Sequence, residues 1–185
     1  MNLLSSFNKI FIMGIGGSGM SSIAKYLKQK GHDVEGYDQR SSYITNLLES
    51  DGVITCQNID NFRYQEDVLY VISSAINLED TFLENYTDSE NVISRPKFLE
   101  LLSEEVEILG ITGTHGKTST TALVSHIFHF NNKNASFIYG GVSGFGNLGG
   151  HFGEKTQPLI LETDEAFNTF KNINIKDLIV TNIDN

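Results

Sequence analysis

Short apolar runs alternate with amphipathic segments along the first hundred residues. The run at residues 10–13 predicts a strand, and the segment after it repeats apolar residues on one helical face until Gly31, which predicts a helix and its end. Further strands are predicted at residues 33–38, 53–56 and 68–73, with a short helix at 44–48. This alternation predicts an α/β fold with a parallel, doubly wound sheet and right-handed crossovers.

The same order of strand, glycine turn and helix starts again after residue 105. A strand is predicted at residues 107–112 and a helix at 117–130, with an apolar stripe expected from Leu123, Ile127 and Phe130. Strands are also predicted at 136–139, 159–163 and 178–182, and the last is expected to be buried. Residues 1–105 are therefore expected to form one domain and residues 106–185 the start of another. Because the chain stops just after this last strand, we expect the second domain to be truncated.

Composition and charge limit the classes of function. With 39% hydrophobic residues, no apolar run of membrane-spanning length and one cysteine, the chain predicts a soluble, cytoplasmic, globular protein. Cys56 is expected to be an inert core residue. The formal net charge of −10 argues against a broad basic face for nucleic acid, and no membrane partner is expected. An anionic ligand would need local backbone amides, a positioned lysine or a cation.

The first glycine turn fits the pattern G-x-G-x-x-G. Gly14, Gly16 and Gly19 follow a strand and open a helix, and Asp38 lies about 20 positions further on. The first glycine permits the tight turn, the second lets a phosphate approach the backbone, and the third packs the helix on the strand. The motif predicts a site for a dinucleotide or another diphosphate, the alternative being a turn without ligand. Ser73, which ends a predicted strand, is a further candidate that can offer a hydroxyl.

The second glycine turn is a variant of the phosphate-binding P-loop. It reads Gly-Thr-His-Gly-Lys-Thr from Gly113 to Thr118, with Ile111 where the strict pattern has glycine. Backbone amides of this turn can surround phosphate oxygens, Lys117 can reach the β and γ phosphates, and the Thr118 hydroxyl can ligate magnesium. His115 lies within the turn, where it can contact a phosphate or a substrate.

An acidic block follows the predicted strand at 159–163. Its residues are Glu162, Thr163, Asp164 and Glu165, and carboxylates at the end of a buried strand suit magnesium bound to ATP phosphates. The alternative is an acidic loop that is simply solvated.

Together these motifs resemble the Mur ligase family. The resemblance rests on the two loops, on residues 73–76 between them, and on further marks at Arg95, Phe98, Leu99, Gly140, Gly141, the acidic block and residues 181–183. It implies a Rossmann-like domain that binds a UDP-sugar at 1–105, followed at 106–185 by the N-terminal part of a P-loop ATPase domain. It also implies that a third, C-terminal domain is absent.

The resemblance implies an ATP-dependent ligase that adds L-alanine to UDP-N-acetylmuramate through an acyl phosphate, in peptidoglycan precursor synthesis. ATP and Mg²⁺ would be required, Lys117 would stabilise the transferring phosphoryl group, and Thr118 and Glu162 would bind Mg²⁺. The implied ATP-binding residues are Gly113, Thr114, His115, Gly116, Lys117, Thr118 and Ser119. The implied UDP-sugar-binding residues are Gly14, Gly16, Gly17, Ser18, Gly19, Met20, Asp38, Ser73 and Ser74.

Three alternatives stay open at this point. One is a related ligase that recycles a murein tripeptide onto the same sugar nucleotide. The second is an NAD-dependent oxidoreductase, supported by the first loop and Asp38, although it leaves Lys117 and Thr118 without a role. The third is a nucleotide-binding module without catalysis, and the incomplete chain is expected to lack turnover by itself.

Overall fold

The first half of the chain forms a parallel five-stranded sheet, as predicted. The computed structural model describes residues 3–79, 81–143, 146–163 and 172–183. The strands of this sheet, which stand in the order β3-β2-β1-β4-β5, are β1 (Lys9–Met13), β2 (Asp33–Tyr37), β3 (Ile54–Cys56), β4 (Val68–Ile72) and β5 (Val92–Ser94). This order places β1 in the middle, so the first glycine loop leaves the centre of the sheet at its carboxyl edge.

The two faces of this sheet are covered differently. One face packs against the three helices α1 (Ser18–Lys30), α2 (Tyr43–Ser50) and α3 (Arg95–Glu105). The other face carries Phe11 and Tyr70, whose ring centroids are 6.0 Å apart. The Phe11 ring contacts Phe62 and Phe82 of the connecting loops at 5.2 and 5.9 Å, and the Tyr70 ring contacts Phe82 at 5.7 Å. The connection from β4 to β5 packs on this second face. In its described residues, 73–79 and 81–91, the 3-10 turn at Glu84–Tyr86 is the only helical element, so loop aromatic residues cover a face on which a doubly wound sheet has helices.

The second half forms another five-stranded sheet, this time mixed. Its strands, in the order β10-β6-β9-β7-β8, are β6 (Ile108–Thr112), β7 (Ser136–Val142), β8 (Leu148–His151), β9 (Leu159–Glu162) and β10 (Ile175–Val180). Strands β7 and β8 are antiparallel and the other pairs are parallel. The prediction that the last strand is buried is wrong, because β10 lies at the sheet edge and exposes Leu178 and Val180.

Helix α4 (Lys117–Phe130) follows the second glycine loop, but its predicted apolar stripe is wrong. Leu123, Ile127 and Phe130 are 59%, 49% and 79% exposed, whereas Thr121 and Ser125 are buried. Their hydroxyls donate to the carbonyls of residues 117 and 121 at 2.9 and 2.8 Å, so both polar side chains are satisfied inside the helix. The face that lies on the sheet therefore combines these hydroxyl residues with Val124 and Phe128, which pack against the core.

Helix α1 packs against both sheets. The Ser22 hydroxyl donates to the Tyr139 carbonyl of β7 at 2.7 Å, and the Tyr26 ring lies edge-on to Phe152 with centroids 5.6 Å apart. At Gly150 of β8 a side chain would collide with the Ser22 carbonyl, so glycine permits this close approach. The helix that begins at the first glycine loop thus holds that loop against the second sheet. Within the described residues, no helix is long and apolar enough to cross a membrane.

Candidate active site

The first glycine loop leaves β1 and ends at the start of α1. Gly14 adopts φ +80°, a conformation that favours glycine, and its amide donates to the Tyr37 carbonyl of β2 at 2.7 Å. Helix α1 is preceded by Gly17, which provides no side-chain cap, whereas α2 and α3 are capped by Ser42 and Ser94. The first-turn amides of α1 are therefore left to a ligand or to water, as at known phosphate sites.

Asp38 is held against this loop. Its Oδ2 atom accepts the Gly16 amide at 2.9 Å and its Oδ1 atom accepts the Arg40 amide at 3.2 Å. A side chain at Gly16 would lie 2.8 Å from that carboxylate. The room that the sequence pattern assigned to a phosphate at Gly16 is thus taken by Asp38, which fixes the shape of the loop.

The other residues predicted for the first site differ in what they can offer a ligand. Ser73 lies beside Gly14, where an added side chain would come 2.9 Å from the Ser73 Cβ atom, and Ser74 is exposed next to it. The Met20 side chain is only 3% exposed and belongs to the core, so its backbone alone can face a ligand. The third glycine, Gly19, was expected to pack helix on strand, but the Arg95 guanidinium fills the space beside it.

The second glycine loop surrounds a cavity of about 370 Å³, lined by residues 114–119 and Glu162. Gly116 adopts φ +79° and precedes α4 without a side-chain cap, so a second uncapped helix N-terminus faces this cavity. The Lys117 Nζ atom donates to the Gly113 carbonyl at 2.6 Å, which keeps the ammonium group at the loop. This arrangement is that of a phosphate-binding loop.

The end of β10 fixes the shape of the P-loop. The Thr181 hydroxyl lies 2.6 Å from the His115 carbonyl and 3.1 Å from the Thr112 carbonyl, and the His115 amide donates to Asn182 Oδ1 at 2.9 Å. The sequence identified Thr181 and Asn182 as marks of a resemblance, without predicting this contact. The last described strand therefore positions the loop that precedes α4.

Glu162 connects the two loops. Its Oε1 atom accepts the Thr118 hydroxyl at 2.7 Å, and its Oε2 atom accepts the Gly140 amide at 2.7 Å. Gly140 in turn faces Ser18 at the start of α1, since a side chain there would lie 3.4 Å from the Ser18 hydroxyl oxygen. The predicted magnesium ligands are thus adjacent, and the contacts continue from the P-loop to the first glycine loop.

The oxygen donors of Thr118 and Glu162 fit a hard cation such as Mg²⁺. In the part of the chain that the structure describes, no group of three or more histidine, cysteine or acidic side chains could hold a metal. A cation here would complete its shell with phosphate oxygens and water, which is how Mg²⁺ is usually bound. Asp164 and Glu165, the other predicted carboxylates, lie outside the described residues.

The model of the Mur ligase family, catalytic domain, matches residues 9–107, which is more than half of the chain. The chain belongs to the Mur ligase family. A UDP-N-acetylmuramate–L-alanine ligase from a Hydrogenobaculum species is 37% identical over 96% of this chain and 40% of its own length. The corresponding ligase of Cytophaga hutchinsonii is 29% identical over 98% of this chain and 41% of its own length. The chain therefore spans about two fifths of these curated relatives.

Solved structures show the same Mur ligase fold. A UDP-N-acetylmuramate-alanine ligase from Thermotoga maritima superimposes with a TM-score of 0.79 and 28% identity, over 95% of this chain and 41% of that one. A UDP-N-acetylmuramate:L-alanyl-γ-D-glutamyl-meso-diaminopimelate ligase from Neisseria also has a TM-score of 0.79, at 20% identity, over 96% of this chain and 61% of that one. The second likeness concerns the fold alone.

Proposed function

We propose that this chain forms the UDP-sugar-binding and ATP-phosphate-binding parts of a ligase that joins L-alanine to UDP-N-acetylmuramate. Residues 1–105 would bind the UDP-sugar and residues 106–185 would bind the ATP phosphates. Because ATP is a cytoplasmic substrate, the reaction would take place in the cytoplasm and supply peptidoglycan precursors. Relatives named for this reaction, at up to 37% identity among those compared, support this choice of substrates.

The position of Glu162 supports this proposal most directly. Glu162 lies between the two glycine loops, and the helices that follow them, α1 and α4, both lack a side-chain N-cap. The carboxylate accepts the Thr118 hydroxyl on the P-loop side and the Gly140 amide on the side of Ser18. A phosphate donor at one loop and a carboxylate substrate extending from the other would meet beside Glu162. A single-nucleotide oxidoreductase has no use for the second loop.

The chemistry of the reaction assigns a task to each group. The γ-phosphoryl group of ATP passes to the substrate carboxylate, and ADP leaves. The alanine amine then attacks the acyl phosphate, so the amide bond forms as phosphate departs. Lys117 would neutralise charge on the transferring phosphoryl group, and the amides of the P-loop would orient it. Mg²⁺ held beside Thr118 and Glu162 would neutralise further phosphate charge.

The recycling ligase for a murein tripeptide remains a second candidate within the same family. It shares the sugar nucleotide, and the Neisseria ligase that acts on such a peptide has the same fold as this chain. Identity of 20% to that structure, against 28% to the alanine ligase of Thermotoga maritima, favours the alanine-adding reaction.

Substitution of Lys117 tests whether the two ligands have separate sites. Lys117→Ala removes the ammonium group beside the Gly113 carbonyl, so ATP binding should weaken by about tenfold or more while UDP-N-acetylmuramate binding stays unchanged. Both are measured by calorimetric titration. Lys133→Ala, at an exposed position just beyond α4, is the matched control and should change neither. Equal loss of both ligands in Lys117→Ala would show that the two-site arrangement is wrong.

A further inference from the structure

Arg95 stands at the same sheet edge as the first glycine loop. It is the first residue of α3 and follows β5 directly, so it leaves the sheet where Gly14 and Ser73 leave β1 and β4. Its guanidinium group lies against Gly19 in the first turn of α1. A Cβ atom at Gly19 would come 2.9 Å from Arg95 Cζ, 3.0 Å from Nη2 and 3.2 Å from Nη1.

This position is electrostatically unfavourable for an arginine in the absence of an anion. A helix N-terminus carries a partial positive charge, and a cation placed there repels it. The Arg95 Nε atom is enclosed and has no hydrogen-bond partner. Over the described ranges no carboxylate forms an ion pair with Arg95, and both oxygens of Asp38, the carboxylate held at Gly16 of the same loop, accept backbone amides. An enclosed, unpaired donor lowers stability unless a ligand satisfies it.

We infer that Arg95 binds the diphosphate of a nucleoside diphosphate held at the first glycine loop. The inference rests on the proposed function and adds a residue to its first site. A diphosphate there would accept hydrogen bonds from the first-turn amides of α1 and from the guanidinium fork, which matches phosphate geometry. Glycine at position 19 allows the guanidinium to lie on the loop backbone. Arg95 thus supplies the local positive charge that an acidic chain needs to hold an anion.

A purely structural role for Arg95 makes a different prediction. If the side chain only filled space between α3 and α1, its replacement would lower the stability of the ligand-free protein. If Arg95 instead serves to bind an anion, removing its charge relieves repulsion at the N-terminus of α1. The stability of the ligand-free protein should then stay equal or rise. Ligand affinity and ligand-free Tm together therefore separate the two roles.

The test is calorimetric titration of the whole chain with UDP, combined with thermal unfolding of the ligand-free protein. Arg95→Gln should weaken UDP binding by about 10-fold to 100-fold, since charge-assisted hydrogen bonds are lost. Arg95→Lys should restore part of the affinity, because lysine keeps the charge without the planar fork. Lys97→Gln, on the same helix but paired with Glu100 at 2.7 Å, is the matched control and should bind UDP as the wild type does.

The outcomes separate this inference from the function on which it rests. Wild-type protein that does not bind UDP would overturn both the first site and the role of Arg95. Wild-type binding with unchanged affinity in Arg95→Gln would overturn the role of Arg95 alone. Weaker UDP binding accompanied by a clearly lower ligand-free Tm would assign Arg95 a structural role and also overturn the inference.

Discussion

At the scale of single residues, the site is built by polar groups that hold each other before any ligand arrives. Asp38 accepts the Gly16 amide, Glu162 accepts the Thr118 hydroxyl and the Gly140 amide, and Lys117 donates to the Gly113 carbonyl. Such preorganisation lowers the entropic cost of binding phosphate groups.

His151 gives a residue-scale prediction about pH. Burial, followed by repulsion from Lys25 and His129, lowers the pKa of His151 below its ordinary value of 6.5. The unfolded chain therefore binds a proton that the folded chain resists, so the free energy of unfolding should fall as pH drops below about 6.5. The pKa of His32 is lowered as well, mainly by burial. Protonation of His32 should therefore also lower the free energy of unfolding as the pH falls.

Urea unfolding between pH 7.5 and pH 5 measures this effect. His151→Gln should lose less stability on acidification than the wild type, since one of the two histidines with a lowered pKa is gone. His126→Gln, at an exposed position of α4, is the control and should follow the wild type. An identical loss of stability in His151→Gln and in the wild type would contradict the prediction.

At the scale of elements, the face of α4 that packs on the sheet is not the one that the apolar pattern of its sequence predicts. Phe128 packs against the core beside Ile111 and Ile160, while Phe130, two residues later, is 79% exposed. Phe128→Ala should therefore lower the free energy of unfolding by about 2 kcal/mol or more. Phe130→Ala, a matched change on the exposed face, should change it by less than about 0.5 kcal/mol.

Chemical unfolding of Phe128→Ala and Phe130→Ala measures which of the two side chains contributes more to the free energy of unfolding. An apolar stripe of Leu123, Ile127 and Phe130 would instead give the larger loss of stability in Phe130→Ala. Equal losses would mean that both faces of α4 are covered in solution.

Much of the fold follows from local sequence signals. The strands at 10–13 and 68–72 and both glycine loops were predictable because a buried parallel strand is a continuous apolar run and glycine turns have fixed spacing. Strand β8 was not predictable, because its sequence Leu-Gly-Gly-His carries neither apolar alternation nor β-branched residues. Gly150 is explained by the close approach of Ser22, which is distant in sequence, and Gly149 by the close approach of Tyr139 on the neighbouring strand.

In the candidate site, too, residues within motifs were predictable, whereas contacts between segments far apart in the sequence were not. Motif chemistry predicted the Thr118 hydroxyl and the acidic block as magnesium ligands, and the family resemblance implied Glu162 within that block. The contacts of Asn182 with the P-loop and of Arg95 with Gly19 join segments far apart in the sequence, so no local pattern reveals them.

At the scale of the whole molecule, α1 holds the two sheets together. Ser21 and Ser22 are both fully buried, and each hydroxyl oxygen lies 3.0 Å from the Ser18 carbonyl oxygen. Ser22 alone of the two also reaches the Tyr139 carbonyl in the second sheet. Ser22→Ala should lower the free energy of unfolding by about 1–3 kcal/mol, because a buried contact between the two sheets is lost.

Ser21→Ala is the matched control and should cost no more than about 1 kcal/mol. Both variants are compared by denaturant unfolding at one pH. A loss in Ser21→Ala as large as that in Ser22→Ala would show that the contact between α1 and β7 contributes little to stability.

We propose that one chain holds a UDP-sugar and ATP at separate loops that meet beside Glu162. The most direct test is calorimetric titration of the chain with UDP-N-acetylmuramate, with and without saturating Mg-ATP, and separately with NAD. We expect saturable binding of one UDP-sugar per chain in both conditions, and no binding of NAD. Binding of NAD alone, or displacement of the UDP-sugar by Mg-ATP, would contradict this two-site arrangement.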